Sequence, residues 1–187
     1  MTIIRFDALK AVPWKNGLGI TREIAVEPPG ASMDHFLWRV SIADVDTASP
    51  FSRFPGIDRT IVLLQGDGFT MTLDGERTHA LTTPCVPFAF PGEAHVEVAL
   101  AGGATRDFNL MVRRGDIRGA INVMRGPGRV DTKDVALLHL AQGTARTGDT
   151  AFGIGDTVIA PLSVELDRGA VALVVKIVRP RDDRFTE

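Results

Sequence analysis

Short runs of alternating apolar and polar residues, bounded by glycine and proline, are the feature that most constrains the fold of this chain. In residues 107–113, Phe108, Leu110 and Val112 fall on one face of an extended strand, and the residues between them fall on the other. Other runs of extended character lie at residues 2–6, 20–26, 36–42, 59–64, 69–73, 84–90, 96–100, 135–141 and 170–178. Because no segment shows a convincing period of 3.6 residues, the pattern predicts an all-β sandwich or barrel.

Two turn sequences predict how some of these strands connect. Gln65-Gly66-Asp67-Gly68 is expected to open a hairpin after the run 59–64. Asp74-Gly75, which follows the run 69–73, is a second and stronger hairpin signal.

The last third of the chain repeats the pattern of the first part. Residues 135–141 lead into Gln142-Gly143 much as residues 61–64 lead into Gln65-Gly66. This weak internal duplication favours two β-barrel halves over one long sheet. The glycine-rich segment 114–132 is the natural connector, so we expect an N-terminal half at 1–115 that carries the candidate pocket and a C-terminal half at 116–187 packed against it.

Composition limits the classes of function. At 187 residues, with 44 % apolar and 24 % charged residues, the chain fits a globular protein with a sizeable core and not a disordered one. A net charge of −2 gives no basic footprint for nucleic acid. No apolar run approaches the roughly 20 residues of a membrane span, and the first residues lack the apolar region of a secretory signal. We therefore expect a cytoplasmic protein with neither nucleic acid nor membrane as a partner.

Residues 13–17, Pro-Trp-Lys-Asn-Gly, place an aromatic ring, a cation and an amide side by side in a turn-forming segment. Such a cluster can close over a small polar ligand. The spacing alone favours the alternative, a hairpin whose Trp14 packs into the core. The next run, 20–26, is expected to be a strand with Thr21 and Glu23 on the same side.

The runs 36–42 and 59–64 each carry an arginine, which suggests the walls of a pocket. Arg39, Arg59 and Arg113 are the candidates for binding a carboxylate, because a planar guanidinium can form two parallel hydrogen bonds with it. Glu23 and Asp107 either balance these cations or form an acid/base pair across the barrel. The alternative is that all these polar residues line the solvent face of antiparallel strands, as alternation normally implies.

Several motifs between residues 13 and 114 resemble, in order and spacing, those of the HutD/Ves family of the cupin superfamily. They are Pro13-Trp14-Lys15-Asn16-Gly17 with Thr21 and Glu23, Phe36-x-Trp38-Arg39-x-Ser41-x-Ala43, Pro50-Phe51-Ser52-x-Phe54-Pro55-Gly56-x-x-Arg59, Phe90-Pro91-Gly92, and Asp107-Phe108-Asn109-x-Met111-x-Arg113. The last seventy residues match only in general character. Leu18 is a departure, since the family more often has glycine there.

The resemblance implies a bicupin-like fold, with two β-barrel or jelly-roll halves in one chain. It also implies an association with bacterial histidine utilisation and a non-enzymatic binding or regulatory role. The ligand implied is a small acidic metabolite, such as N-formylglutamate. The alternative is a cupin enzyme that acts on a small carboxylated or sugar-like substrate. A third interpretation is an assembly module that forms a homodimer through its sheet faces.

A metal-binding cupin needs a His-x-His and a Glu in its first motif and one more His in its second. The first position is occupied here by Arg59-Thr60-Ile61, and His95 in the second has no partners. The lone Cys85 fits a buried core residue better than a nucleophile and excludes both an intrachain disulfide and a cysteine-based zinc site. We therefore expect no catalytic residue, no metal and no cofactor.

The candidate ligand-binding residues combine the arginines with polar groups that can orient an amide or formyl group and with apolar walls. Asn16, Ser41 and Asn109 are the orienting groups. Trp14, Trp38 and Phe90 are the walls. The full predicted set is Trp14, Lys15, Asn16, Thr21, Glu23, Trp38, Arg39, Ser41, Arg59, Phe90, Asp107, Asn109 and Arg113.

Overall fold

The computed structural model describes residues 2–131, 135–160 and 163–179, and these residues form β-strands apart from loops and one 3₁₀ turn at Phe6–Ala8. The first ten strands are β1 (Thr2–Ile4), β2 (Ala11–Pro13), β3 (Gly19–Glu27), β4 (Trp38–Val45), β5 (Ile57–Gln65), β6 (Phe69–Leu73), β7 (Arg77–Leu81), β8 (Pro87–Pro91), β9 (Val96–Leu100) and β10 (Thr105–Arg113). The others are β11 (Arg118–Arg125), β12 (Gly128–Asp131), β13 (Val135–Gln142), β14 (Thr144–Thr147), β15 (Thr150–Gly153), β16 (Thr157–Ile159), β17 (Ser163–Leu166) and β18 (Val171–Val178). The predicted all-β fold is confirmed.

Strands β2–β10 form two antiparallel sheets, which we call the N-terminal half. One sheet has six strands in the order β2-β3-β4-β10-β5-β8, and the other has three in the order β7-β6-β9. Apolar side chains from both sheets meet between them, with Leu63 and Phe90 from the larger sheet against Phe69, Met71 and Val96 from the smaller one. The interior of this half is therefore packed with apolar side chains at the end covered by the smaller sheet.

Strand β1 and strands β11–β18 form the C-terminal half. Its sheets have the orders β1-β16-β13-β18-β11 and β12-β17-β14-β15. Leu138, Leu140 and Val174 of the first sheet pack against Phe152 and Val164 of the second. Since β1 pairs with β16, the opening residues cross to the C-terminal half; the division of the chain at residue 115 stays a prediction.

The two halves are held together by an apolar layer between the six-stranded and the five-stranded sheets. Val40 and Phe108 from the first sheet pack in one cluster with Leu137, Leu173 and Val175 from the second. One face of each large sheet is consequently buried in this layer. On β4 and β10, the even-numbered residues face this layer. The odd-numbered residues of the same two strands face the interior of the N-terminal half.

Two predicted connections differ in the structure. The supposed connector 114–132 contains β11 and β12, and Gly119 lies inside β11, where an added Cβ would come within 2.6 Å of the Val112 side chain. That glycine marks a close packing contact and not a turn.

The segment 65–68 does not form a hairpin, because β5 and β6 belong to different sheets. Its two glycines have left-handed φ angles of 91° and 76°, and a Cβ at Gly66 would collide with the backbone of Ala104. They redirect the chain from one sheet to the other. The hairpin at Asp74-Gly75 is confirmed, since β6 and β7 pair directly, with Leu73 opposite Arg77.

None of the described residues forms a helix of the length and apolar character that crossing a membrane would require.

Candidate functional site

A cavity of about 920 Å³ opens into the N-terminal half beside the apolar end of its interior. Its floor is the odd-numbered face of the six-stranded sheet, and segment 49–54 forms part of its wall. Strands β4 and β10 pair in register, with Ser41 opposite Asn109 and Ala43 opposite Asp107. Because side chains alternate between faces, Val40 and Ile42 on the even-numbered face pack in the core while their polar neighbours reach the cavity.

Arg59 on β5 places a nearly buried guanidinium against the cavity, with 9 % of the residue exposed. Nη2 donates to Asn109 Oδ1 over 3.3 Å, Nη1 donates to the Ser52 carbonyl over 3.4 Å, and Nε has no partner among the described residues. Burial, assisted by the positive charge of Arg39, lowers the pKa of Arg59 to about 10. No carboxylate in the described ranges forms an ion pair with it.

Three aromatic rings surround the Arg59 guanidinium. Its central carbon lies 4.9 Å from the centroid of the Phe90 ring, 5.1 Å from that of Phe51 and 5.6 Å from that of Phe54. Such contacts attract a cation but accept no conventional hydrogen bond. Phe90 does not line the cavity as predicted: it is 4 % exposed and belongs to the apolar interior beside Arg59. Phe51 and Phe54 take that place in the wall.

Asp107 on β10 is the most deeply buried carboxylate of the cavity lining, at 1 % exposure. Its Oδ2 accepts a hydrogen bond of 3.2 Å from the Thr105 hydroxyl, and its Oδ1 has no partner within the described part of the chain. Burial raises the pKa of Asp107 to about 7, the negative charge of Asp44 adds to this, and the Thr105 hydroxyl opposes it. Burial therefore favours the protonated form of Asp107 over a wider pH range than for an exposed aspartate.

Arg39 and Glu23 form an ion pair at the more exposed side of the cavity. Arg39 Nε donates to Glu23 Oε2 over 2.7 Å, and its Nη1 donates to the Ser41 hydroxyl over 3.2 Å. The Glu23 side chain is 44 % exposed and the Arg39 side chain 14 %. Glu23 thus balances an arginine, one of the two roles considered for it, whereas Asp107 balances none in the described residues.

The β2–β3 hairpin brings the segment 13–17 to the rim of the cavity. Trp14 is half-buried and its Nε1 donates to the Thr21 hydroxyl over 2.8 Å. Lys15 and Asn16 are exposed at the turn, and Asn16 Oδ1 accepts a hydrogen bond from the Leu18 amide. The segment is therefore a hairpin, as one interpretation held, but Trp14 lines the cavity and is not part of a buried apolar cluster.

Ten of the thirteen predicted residues line this cavity. They are Trp14, Lys15, Asn16, Thr21, Glu23, Arg39, Ser41, Arg59, Asp107 and Asn109. Besides Phe90, the exceptions are Trp38 and Arg113.

Trp38 lies on the even-numbered face of β4 and packs against the layer between the halves. Arg113 is odd-numbered, like the β10 residues that line the cavity, but it is the last residue of the strand. Its Nε donates to the Phe36 carbonyl and its Nη2 to the Asp34 carbonyl, so its guanidinium anchors the loop before β4.

Sequence reasoning missed the lining residues of segment 49–54, including Ser52. A strand's alternation does not extend into a loop, so no periodic signal identifies which loop residues face inward. The motif at 50–56 was the one available indication.

The cavity lining does not fit a metal ion. No group of three or more His, Cys, Asp or Glu side chains is arranged for metal binding in residues 2–131, 135–160 and 163–179. None of the four histidines lines the cavity. The groups that contact the Arg59 guanidinium are the Asn109 side-chain amide, the Ser52 backbone carbonyl and aromatic rings. His139 instead lies fully buried near Phe108, with Nδ1 at 3.0 Å from the Thr157 hydroxyl and beside a separate cavity of about 40 Å³.

The structure of HutD from Pseudomonas fluorescens SBW25, in a formate condition, superimposes on this chain with a TM-score of 0.82. The two chains are 30 % identical, and the match covers 96 % of this chain and 98 % of that one. The oxalate decarboxylase of Lactobacillus farciminis, at 10 % identity and a TM-score of 0.62 over 95 % of this chain and 88 % of its own, shares the fold. These matches confirm the bicupin-like architecture.

Relatives by sequence point to the same family. An uncharacterized 21.2 kDa protein in the hutC 3′ region of Pseudomonas putida is 40 % identical over 141 residues, which is 75 % of this chain and 73 % of that protein. Protein Ves of Escherichia fergusonii is 40 % identical over 111 residues, or 59 % of this chain and 56 % of its own. The sequence model of the HutD family matches residues 7–170. The chain therefore belongs to the HutD family.

Proposed function

We propose that this protein binds a small organic anion in the cavity of its N-terminal half and has a non-catalytic, sensing or regulatory role. Arg59 is the residue that binds the ligand's carboxylate. The observation that carries the proposal is the burial of this guanidinium without a carboxylate partner among the described residues.

A buried cation without a counter-charge is unfavourable, because it loses its hydration and gains no opposite charge in return. A bound carboxylate would supply that charge and accept up to two hydrogen bonds from the guanidinium. Asn109 and the rings of Phe51 and Phe54 hold the group in place beforehand, so little side-chain freedom is lost when the ligand binds.

The size and lining of the cavity suit a metabolite. Its volume of about 920 Å³ lies within the roughly 300–1,000 Å³ of small-molecule sites. Besides Arg59, the polar groups of the lining include Ser41, Asn109 and Asp107 near the floor and Lys15 at the rim. Glu23 is engaged with Arg39, so the described lining offers no second free carboxylate to act as an acid/base partner of Asp107.

The relatives suggest which anions to test. One of them lies in the hutC 3′ region, and the structure of another was determined in a formate condition. Both observations support an acidic intermediate of histidine breakdown, such as N-formylglutamate, as the ligand.

The test is calorimetric titration with urocanate, formiminoglutamate, N-formylglutamate, glutamate and formate. We expect saturable binding of at least one carboxylate to the native chain and its loss in Arg59→Met. Arg53→Met is the matched control: Arg53 lies in the loop before β5, is exposed, donates to the Glu93 carbonyl and does not line the cavity. This control should bind as the native chain does.

Retention of binding in Arg59→Met, or no binding of any carboxylate in the panel, would contradict the proposal. Mass spectrometry of the ligand after prolonged incubation separates binding from turnover. Quantitative recovery of unchanged ligand is expected for a binding protein, whereas conversion would support the cupin-enzyme alternative.

A further inference from the structure

Asp107 and Arg59 face the same cavity without forming an ion pair with each other. Both are related to Asn109: Arg59 donates to its side-chain oxygen, and Asp107 precedes it by two residues on the same face of β10. Two residues along a strand span about 7 Å, so a ligand of a few carbon atoms bound to Arg59 also reaches Asp107. The carboxyl group, with its unpartnered Oδ1, therefore belongs to the same site as the cation.

The surroundings of Asp107 give its negative charge little support. Directly opposite it on the neighbouring strands are Ala43 on β4 and Leu63 on β5, which offer no side-chain donor. Among the described residues, the side-chain donor to Asp107 is the Thr105 hydroxyl. The charged side chains that line the cavity with it or act on it from adjacent strands are Lys10, Lys15, Glu23, Arg39, Asp44 and Arg59.

Few of these charges are available to neutralise Asp107. Arg39 is paired with Glu23, and Asp44 repels Asp107 while itself holding Arg22 and Arg106. Lys10 and Lys15 are both exposed. Arg59, the remaining buried cation of the described lining, contacts Asn109 and Ser52. If Asp107 were ionised, an anionic ligand in this site would be a second negative charge next to it. Of the described lining, Arg59 would be the one buried and unpaired cation to balance the two charges.

We propose that Asp107 acts in the bound state as a neutral carboxylic acid that donates a hydrogen bond to an oxygen of the ligand, so that binding of the anion takes up a proton. This inference rests on the proposed binding function and adds its regulation by pH. It also defines the ligand class more closely: an organic anion with a carboxylate for Arg59 and a second accepting oxygen, from a carbonyl or another carboxylate, for Asp107.

The direction of the pH effect follows from linkage. Burial raises the pKa of Asp107 to about 7 in the free protein, and a ligand that binds only the protonated form raises it further. Affinity is then constant well below pH 7 and falls as pH rises, approaching tenfold per unit above it. Proton uptake per ligand is small at pH values well below the pKa of free Asp107 and approaches one proton well above it.

The experiment is calorimetric titration of the full chain with N-formylglutamate at pH 6, 7 and 8, in pairs of buffers with different ionisation enthalpies. The dependence of the observed enthalpy on the buffer counts the protons taken up. We expect uptake to rise across this range in the native chain. Asp107→Asn retains an N–H donor but cannot titrate, so its binding should show no uptake and an affinity independent of pH.

Thr105→Val distinguishes proton donation from a purely structural role. Thr105 does not line the cavity, and its hydroxyl lowers the pKa of Asp107. Removing that hydroxyl should move the fall in affinity to higher pH, with affinity at pH 6 unchanged.

Binding without proton uptake, or equal uptake in Asp107→Asn, overturns this inference and leaves the binding function standing. Absence of binding at every pH overturns both for this ligand.

Discussion

A guanidinium packed among Phe51, Phe54 and Phe90 has lost most of its hydration, and the rings return only part of the lost free energy. In the ligand-free protein Arg59 is therefore a source of instability that the surrounding structure tolerates. Binding sites often contain residues that lower the stability of the ligand-free protein, because the same residues are needed to bind the ligand.

Replacement of Arg59 by methionine should raise stability while it removes ligand binding. Methionine fills much of the same volume without a charge, so we expect the free energy of unfolding to rise by about 1 kcal/mol or more. Urea unfolding at pH 7, without ligand, measures this. In the matched variant Arg39→Met, the loss of the ion pair with the partly exposed Glu23 should lower stability by up to about 1 kcal/mol. A large loss of stability in Arg59→Met would contradict this account of the site.

The β2–β3 hairpin shows how an element positions a side chain at the cavity. Trp14 is held by its backbone bond to Gly19 and by its ring bond to Thr21. Gly19 permits this, because an added Cβ would lie 2.6 Å from the Asp44 carbonyl oxygen and 3.0 Å from the Trp14 ring. Both contacts are closer than atoms of a folded protein normally approach. The hairpin therefore needs glycine at position 19 for lack of space beside the backbone and not for a turn conformation.

Gly19→Ala should displace Trp14 from the cavity rim. We expect a loss of about 1–3 kcal/mol in the free energy of unfolding, as for other overpacked sites, together with weaker ligand binding. Thermal unfolding and calorimetric titration measure the two effects. Gly103→Ala is the control, because an added Cβ there meets no atom within 4 Å. Equal behaviour of the two variants would show that the hairpin contact is unimportant.

Local sequence pattern predicts elements and faces well where both depend on neighbouring residues. The alternation in β4 and β10 predicted that Arg39 and Ser41 share a face, and likewise Asp107 and Asn109. Trp38 shares its parity with Val40, and both lie on the face toward the layer between the halves. The pairing of β4 with β10, separated by some sixty residues, follows from tertiary packing that no local pattern encodes. Phe51 and Phe54 lie in a loop without a period.

At the scale of the whole molecule, the two halves differ in what fills them. Leu138, Leu140, Phe152 and Val164 pack the interior of the C-terminal half, whereas the N-terminal half keeps an open cavity beside its apolar core. The layer between the large sheets joins both interiors into one packed body. We therefore expect the halves to unfold together.

Leu173→Ala tests this coupling. Leu173 is fully buried on β18 and contributes to the layer between the halves, so its truncation should cost about 2–5 kcal/mol. Both tryptophans, Trp14 and Trp38, lie in the N-terminal half, and their fluorescence should follow the same shifted transition as far-UV circular dichroism. Val174→Ala, which faces the interior of the C-terminal half, should shift the fluorescence transition too. If either substitution left the midpoint of the fluorescence transition unchanged, the two halves would unfold independently.

The six-stranded sheet has a further consequence for how this protein tolerates change. Along β4 and β10, even-numbered residues such as Val40 and Leu110 belong to the layer between the halves, and odd-numbered ones such as Ser41 and Asn109 border the cavity. A deep mutational scan of these strands, scored separately for abundance and for ligand response, should split by parity. Ligand preference could then drift through the odd positions in evolution, or be redirected by a designer, while the even positions keep the protein folded.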